Sequence, residues 1–357
     1  MGKSMSRILV ETFVKIGIKK IKDSPERGIR NLVDMALQFS EGRFQKNFFT
    51  VAQTMLQNEN SAYYDLVRET VTHTDADRLY TFGMNLGYNS CTEGARRIRQ
   101  NEEKMNCNIP WTISLWIDAQ KLNANQEPYD ALIREGESLG VYTWMLFALE
   151  NPRQVLSLVK NHPDSAFCIF CQTRDLSAAF LAEAADLNNL MLVVRYEESS
   201  TNLCATLREM GLLYSVWYQY RQEDIETIIN GELFGSTQQL FPTFTVLIPD
   251  ESCPEETRRL AYQAVKSTRE EQTWHTIALE LQGDNCLIDS IISGDACSIC
   301  FDKDGNLYDW SKKYEGKHCN LFQSSLGDIL TDACPKKEPC LCYSPRFHSL
   351  CNASVHR

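Results

Sequence analysis

Apolar residues recur along this chain in two rhythms, and the change of rhythm divides it. Up to about residue 106 the spacing is helical. Leu9, Phe13, Ile16, Ile18 and Ile21 suit one helix; Ile29, Leu32, Val33 and Leu37 suit another. Residues 76–86 and 92–104 continue the pattern. From Cys107 onward, short apolar runs alternate with amphipathic ones. Residues 110–117, 141–147, 167–171, 190–196, 212–220, 243–248 and 274–279 read as strands. Between them the spacing predicts helices. One starts at Pro128 and stops at Gly140. Others cover 152–159, 176–185, 203–210 (stopped by Gly211), 223–230 and 254–268. Beyond about residue 285 the periodicity weakens. Residues 298–302 and 306–310 flank Lys303-Asp304-Gly305, whose Asp-Gly pair suits a hairpin turn.

Apolar strands alternating with helices imply parallel βα units. Right-handed crossovers curl these into a partial or complete (β/α) barrel. The predicted class is therefore α/β, with an open doubly wound sheet as the alternative. No glycine-rich turn follows the first strand, which weakens a dinucleotide-binding reading. The expected division is an N-terminal helical domain at 1–106, a barrel at 107–285 and a small Cys-rich extension at 286–357.

Composition narrows the class. The 357 residues carry a formal charge of −11, with 43% hydrophobic and 23% charged positions. That balance suits a globular protein and argues against a nucleic-acid binder, which needs a basic face. No apolar run approaches the roughly 18 residues that span a bilayer. The amphipathic N-terminus lacks the uninterrupted apolar core of a secretion signal. A cytoplasmic protein with no membrane or nucleic-acid partner is expected.

Three segments carry a resemblance: Thr81-Phe82-Gly83-Met84-Asn85, Cys107-Asn108-Ile109-Pro110-Trp111, and Gly136-Glu137-Ser138-Leu139-Gly140-Val141-Tyr142. Their order and spacing resemble bacterial radical S-adenosylmethionine (SAM) proteins with an N-terminal helical extension and a SPASM-like, Cys-rich C-terminal one. The resemblance implies a barrel of the radical SAM type. It also implies a Cys-x3-Cys-x2-Cys motif after the first strand, where three thiolates hold an iron–sulfur cluster. Here residues 118–127 read DAQKLNANQE, with no cysteine. The family's Gly-Gly-Glu-Pro turn after the second strand becomes Ala148-Leu149-Glu150-Asn151-Pro152, which keeps a Glu and a Pro but not the glycines. After the fourth strand, Tyr196-Glu197-Glu198-Ser199-Ser200 is shorter than the family's ribose loop. SAM is therefore not expected as a cofactor, and the expected protein is a degenerate homologue rather than a functional radical SAM enzyme. Glu150 remains as a cofactor-binding candidate, because strand C-termini form the reactive face of a barrel.

Eight of the fourteen cysteines crowd positions 286–357. The family's hairpin is followed by a Cys where this chain has Trp310. Cys297-x2-Cys300 and Cys334-x5-Cys340-x-Cys342 could still supply thiolates, and Cys319, next to His318, could join them. Cys297, Cys319, Cys334, Cys340 and Cys342 are thus the candidate metal ligands. Thiolates select iron–sulfur ahead of zinc here. The competing reading is a relic whose leftover thiols are buried as small hydrophobes. His162 reads as a helix cap and His275 as a core residue. Trp116 and Trp144 sit on the first two strands, and at least one should point inward and fill the barrel. Two functions follow. One is a non-catalytic binding or partner subunit for a radical SAM enzyme or its peptide or protein substrate. The other is an iron–sulfur protein using the C-terminal thiolates for electron transfer or for chemistry on another ligand.

Overall fold

Parallel βα repeats dominate the chain, as the strand spacing predicts. The structure, a computed structural model, describes residues 5–38, 43–295, 297–308 and 313–336. Five helices lead: α1 (Met5–Asp23), α2 (Pro25–Gln38), α3 (Arg43–Met55), α4 (Tyr63–His73) and α5 (Ala76–Met84). A π-helix, Asn85–Gly94, joins α5 to α6 (Ala95–Met105). Then come β1 (Thr112–Trp116), α7 (Ala119–Ala124), α8 (Glu127–Leu139), β2 (Thr143–Phe147), α9 (Leu156–Asn161), β3 (Ala166–Cys171), α10 (Ala178–Ala185), β4 (Leu190–Arg195) and α11 (Ser200–Glu209). The third stretch holds β5 (Tyr214–Tyr220), α12 (Ile225–Ile229), α13 (Glu232–Thr237), β6 (Phe244–Pro249), α14 (Glu255–Glu271), β7 (Ile277–Glu280) and α15 (Leu281–Ser293). The hairpin strands β8 (Ile299–Phe301) and β9 (Leu307–Tyr308) and the helix α16 (Leu326–Ala333) complete the described residues.

The sheet runs β7-β6-β5-β4-β3-β2-β1-β8-β9 and does not close on itself. It is the partial barrel of the two forms expected. All pairs from β7 to β8 are parallel; only β9 is antiparallel. β1–β4 are buried along nearly their whole length, which explains why they read as continuous apolar runs rather than alternating ones.

Register assigns the two faces. Trp144 lies against α8, where a Cβ on Gly136 would come within 2.6 Å of its ring. That face carries the crossover helices. Trp116 belongs to the other, inner face, so the two tryptophans divide between faces. The inner face is covered in part by α15, where Asn285 Nδ2 reaches Met145 Sδ at 3.6 Å. Gly140 ends α8 at φ 115°, and a Cβ there would meet Gly94 O at 2.5 Å. It permits close approach of the helical arm to the barrel.

The π-helix interrupts a stretch that the spacing divides into two ordinary helices. Asn85 and Asn89 on it donate to Pro163 O, Asp164 O and Ser165 O at 2.8–3.0 Å, just ahead of β3. Widened turns of this kind are held by such specific contacts. Buried Arg78 does similar work, donating to Ala185 O at 2.8 Å and Gly211 O at 3.2 Å.

Of the two histidine expectations, one holds and one is corrected. His162 is the residue that caps the C-terminal end of α9, as expected; it is also buried, with Nε2 3.1 Å from Asp130 Oδ1 and Nδ1 3.4 Å from Glu137 Oε1. Burial works to lower its pKa, but Glu137 and then Asp130 outweigh that and hold it above the usual value. His275 is not core; its side chain is half exposed, 3.7 Å from Asp65.

Candidate functional site at the C-terminal rim of the sheet

The strand C-termini form one rim, and its first part is closed by the protein itself. The cysteine-free stretch after β1 is not a loop throughout, as residues 119–124 form α7. Asp118 caps it, its Oδ1 accepting from Gln120 N at 2.8 Å and Lys121 N at 3.1 Å. Lys121 Nζ donates to Lys303 O at 3.0 Å and pairs with Asp304. Lys303 Nζ in turn meets Glu150 Oε1 at 3.1 Å. The β8–β9 turn thereby ties together the segments after β1 and β2. A hydrogen bond and charge hold the Lys121 pKa up and the Asp304 pKa down. Gly305 makes the turn at φ 77°, and a Cβ there would strike Phe322 at 2.5 Å. Glu150, the cofactor-binding candidate, points outward with a side chain 73% exposed and serves as the partner of Lys303.

Beneath this closure the inner face is aromatic. Trp116 stacks on Phe147 at 4.6 Å, Phe147 on Phe170 at 4.4 Å, and Phe170 meets the Trp217 ring edge-on at 6.4 Å. Phe147, Phe170 and Trp217 are buried. These rings occupy the part of the barrel interior under the first strand ends.

The structure brings two of the metal-ligand candidates together. Asn108 joins them: its N–H donates to Cys334 O at 2.7 Å, and its carbonyl accepts from the Cys297 thiol at 3.7 Å. A hydrogen bond with Cys334, then burial, pushes the Cys297 thiol well up. Cys107, bridged to Pro335, belongs to the same corner, and its thiol is raised first by burial. Cys319 is elsewhere: its carbonyl accepts from Leu307 N at 2.8 Å in the hairpin. His318 is engaged with Ser324 at 3.1 Å. Cys300, on the inner face, is buried with its thiol raised by burial. Cys340 and Cys342 lie outside the described residues. Among the described residues no three His, Cys, Asp or Glu side chains converge as a metal ion requires. Among the described residues, Cys297, Cys319 and Cys334 thus do not converge on one point.

Sequence reasoning missed the carboxylates beside the thiol corner. Buried Asp289 accepts from Trp111 N at 2.8 Å, and burial pushes its pKa well up. Buried Glu102 accepts from Ile109 N at 2.9 Å. Both pin the entry to β1. Their one legible signal was proximity to the Cys107–Trp111 segment in the case of Glu102.

No protein-family model matches the chain, and no curated protein matches it. Among solved structures it is similar to Streptococcus suis SuiB. The SuiB structure bound to S-adenosylmethionine gives a TM-score of 0.48 and 12% identity over 68% of this chain and 69% of that one. The structure bound to the precursor peptide SuiA gives 0.49 and 13% over 68% and 70%. A further SuiB structure gives 0.48 and 11% over 82% and 77%. Among the described residues, no helix is long and apolar enough to cross a membrane.

Proposed function

We propose that this protein is a catalytically degenerate radical SAM homologue. It acts as a binding or partner subunit, for a radical SAM enzyme or for its peptide or protein substrate, and does not cleave SAM. The observation that carries this reading is the closure of the first two strand ends. Where the resembled family places three thiolates and a glycine turn, this chain has a helix capped by Asp118 and the pairs Lys121–Asp304 and Lys303–Glu150. The donors there are a carboxylate, amides and lysines, whose chemistry does not suit a cluster that requires thiolates. The bulk of Leu149 stands where paired glycines would let a ligand approach the backbone. The three-part division at 1–106, 107–285 and 286–357 and a cytoplasmic location belong to the same reading. Its test is incubation of anaerobically reconstituted protein with SAM and a strong reductant. No 5′-deoxyadenosine above a no-protein control is expected; turnover would overturn the proposal.

The second reading, an iron–sulfur protein, is favoured by one observation: Cys297 and Cys334 meet in a buried corner. Cys340 and Cys342 would have to complete the ligand set. Iron, sulfide and zinc analysis after anaerobic purification separates the readings. About four irons per protein molecule, the content of one [4Fe–4S] cluster, supports the second.

A further inference from the structure

The next part of the rim is built differently. Register places Arg195 of β4 opposite Trp217 of β5, both on the inner face. Cys171 pairs with Val194, so Gln172, one residue on, stands opposite Arg195. Leu149 follows the end of β2 on the same side. The result is a row, Leu149, Gln172, Arg195 and Trp217, along four adjacent strand ends.

Arg195 is held in place. Its guanidinium lies over the Trp217 ring, with Cζ 5.4 Å from the centroid. The ring itself is fixed, because Trp217 Nε1 donates to Cys171 O at 3.1 Å. The Arg195 carbonyl accepts from Ser200 Oγ at 2.7 Å. A guanidinium over a ring face can keep its N–H edge available, and it carries five donors. Among the described residues that edge makes no hydrogen bond and no ion pair. The neighbouring arginines at this rim differ. Arg174 lies 3.8 Å from Asp175, and Arg221 lies 3.4 Å from Asp250. Glu197 feels the charge of Arg195, but its carboxylate is occupied by Ser199 Oγ at 2.8 Å and by Thr173. The Gln172 amide also has no partner among the described residues, and both Gln172 and Arg195 are only partly exposed.

From this we infer that Arg195 and Gln172 form a carboxylate-binding subsite for a peptide at the β3–β4 rim. The guanidinium fork matches a carboxylate through two parallel N–H bonds, and the Gln172 amide donates to the same group or to an adjacent carbonyl. The surroundings favour a singly charged anion over a phosphate. One guanidinium and one neutral amide face it, Glu197 and Glu198 stand nearby, and the protein as a whole is at −11. Half-buried Leu149 offers the adjoining apolar contact. The inference rests on the proposal that the protein binds a peptide substrate. The carboxylate could come from the free C-terminus of that peptide or from an Asp or Glu side group within it.

Three dansyl tetrapeptides separate these sources by fluorescence anisotropy with the full-length protein. They are Gly-Leu-Phe-Ala with a free C-terminus, its C-terminal amide, and the amide with Leu replaced by Glu. At least one carboxylate peptide should bind at least tenfold more tightly than the plain amide. Preference for the first or the third identifies the source. Arg195→Gln should abolish the preference, Arg195→Lys should retain part of it, and Gln172→Ala should weaken it by a few-fold. Equal binding of all three peptides, no binding of any, or an unchanged preference in Arg195→Gln overturns the subsite. Those outcomes leave the absence of SAM cleavage standing, since the 5′-deoxyadenosine assay reads that separately.

Discussion

At the ends of β1 and β2, Lys121 and Glu150 form ion pairs with Asp304 and Lys303 of the β8–β9 turn; at β3 and β4, the side chains of Gln172 and Arg195 have no hydrogen-bond or ion-pair partner among the described residues. Both stretches are ends of buried parallel strands over one aromatic inner face. What separates them is the hairpin. β8 pairs with β1 and continues the sheet, so its turn reaches the first two strand ends and no farther. Closure is thus a local consequence of where the β8–β9 hairpin joins the sheet. It does not require the barrel to be inert elsewhere.

The largest expected effect tests whether the interior below the closed rim is a packed core. Phe147 stacks on both Trp116 and Phe170 and is 1% exposed. Phe147→Ala should cost about 3–5 kcal/mol, the range for deleting a buried aromatic ring. Urea unfolding of the purified variant reads this directly. A loss below about 1 kcal/mol would mean that the rings border open space, and the contrast between the two stretches would fail.

A smaller effect comes from the far end of the rim, at β7. Glu280 is buried and accepts from Gly283 N at 2.6 Å as the cap of α15. Burial raises its pKa to about 7; the Gly283 N–H opposes this and Asp284 adds to it. The folded state therefore binds this proton more tightly than the unfolded state does. The associated stability is fully present below about pH 4.5 and is lost as pH rises through about 7. Glu280→Gln keeps an acceptor for Gly283 and removes the charge. The variant should lose stability less than the parent between those two pH values, by at most about 3 kcal/mol. Identical pH profiles for the two proteins would show that Glu280 does not titrate in this window.

These regions were unequally legible in the sequence. The strands were readable because each is a short buried apolar run bounded by turn residues. The paired capping of α7 was not: AQKLNA has one buried apolar residue, Leu122, and so no periodicity to detect. α15 hid for the opposite reason. Asp284, Asn285 and Asp289 are buried on it, so its polar positions do not mark a solvent face. That residues 118–127 hold no cysteine was plain, since absence of a residue type needs no structure. The ion pairs at these strand ends join residues far apart in sequence, Lys121 to Asp304 and Glu150 to Lys303, and only the β1–β8 register brings them together. The same holds for Gln172 and Arg195, whose adjacency depends on the β3–β4 register. The ion-pair partners of His162 were not readable either, because Asp130 and Glu137 come from a different helix.

The smallest effect bears most directly on the comparison. The side chains of Lys303 and Glu150 are 41% and 73% exposed, so water screens their attraction. Exposed pairs of this kind contribute about 0–1 kcal/mol. Lys303→Ala should therefore leave the urea midpoint nearly unchanged, with any loss shrinking further at high salt. Its carbonyl still accepts from Lys121, so the turn keeps one of its two ties. The Lys303→Ala and Lys121→Ala double variant removes both and should raise hydrogen exchange at Gln120 and in the 302–306 turn, while exchange in β3 and β4 stays as it was. If the double variant instead loosened both stretches equally, the closure would be a global property of the sheet and the two ends of the rim would not be independent.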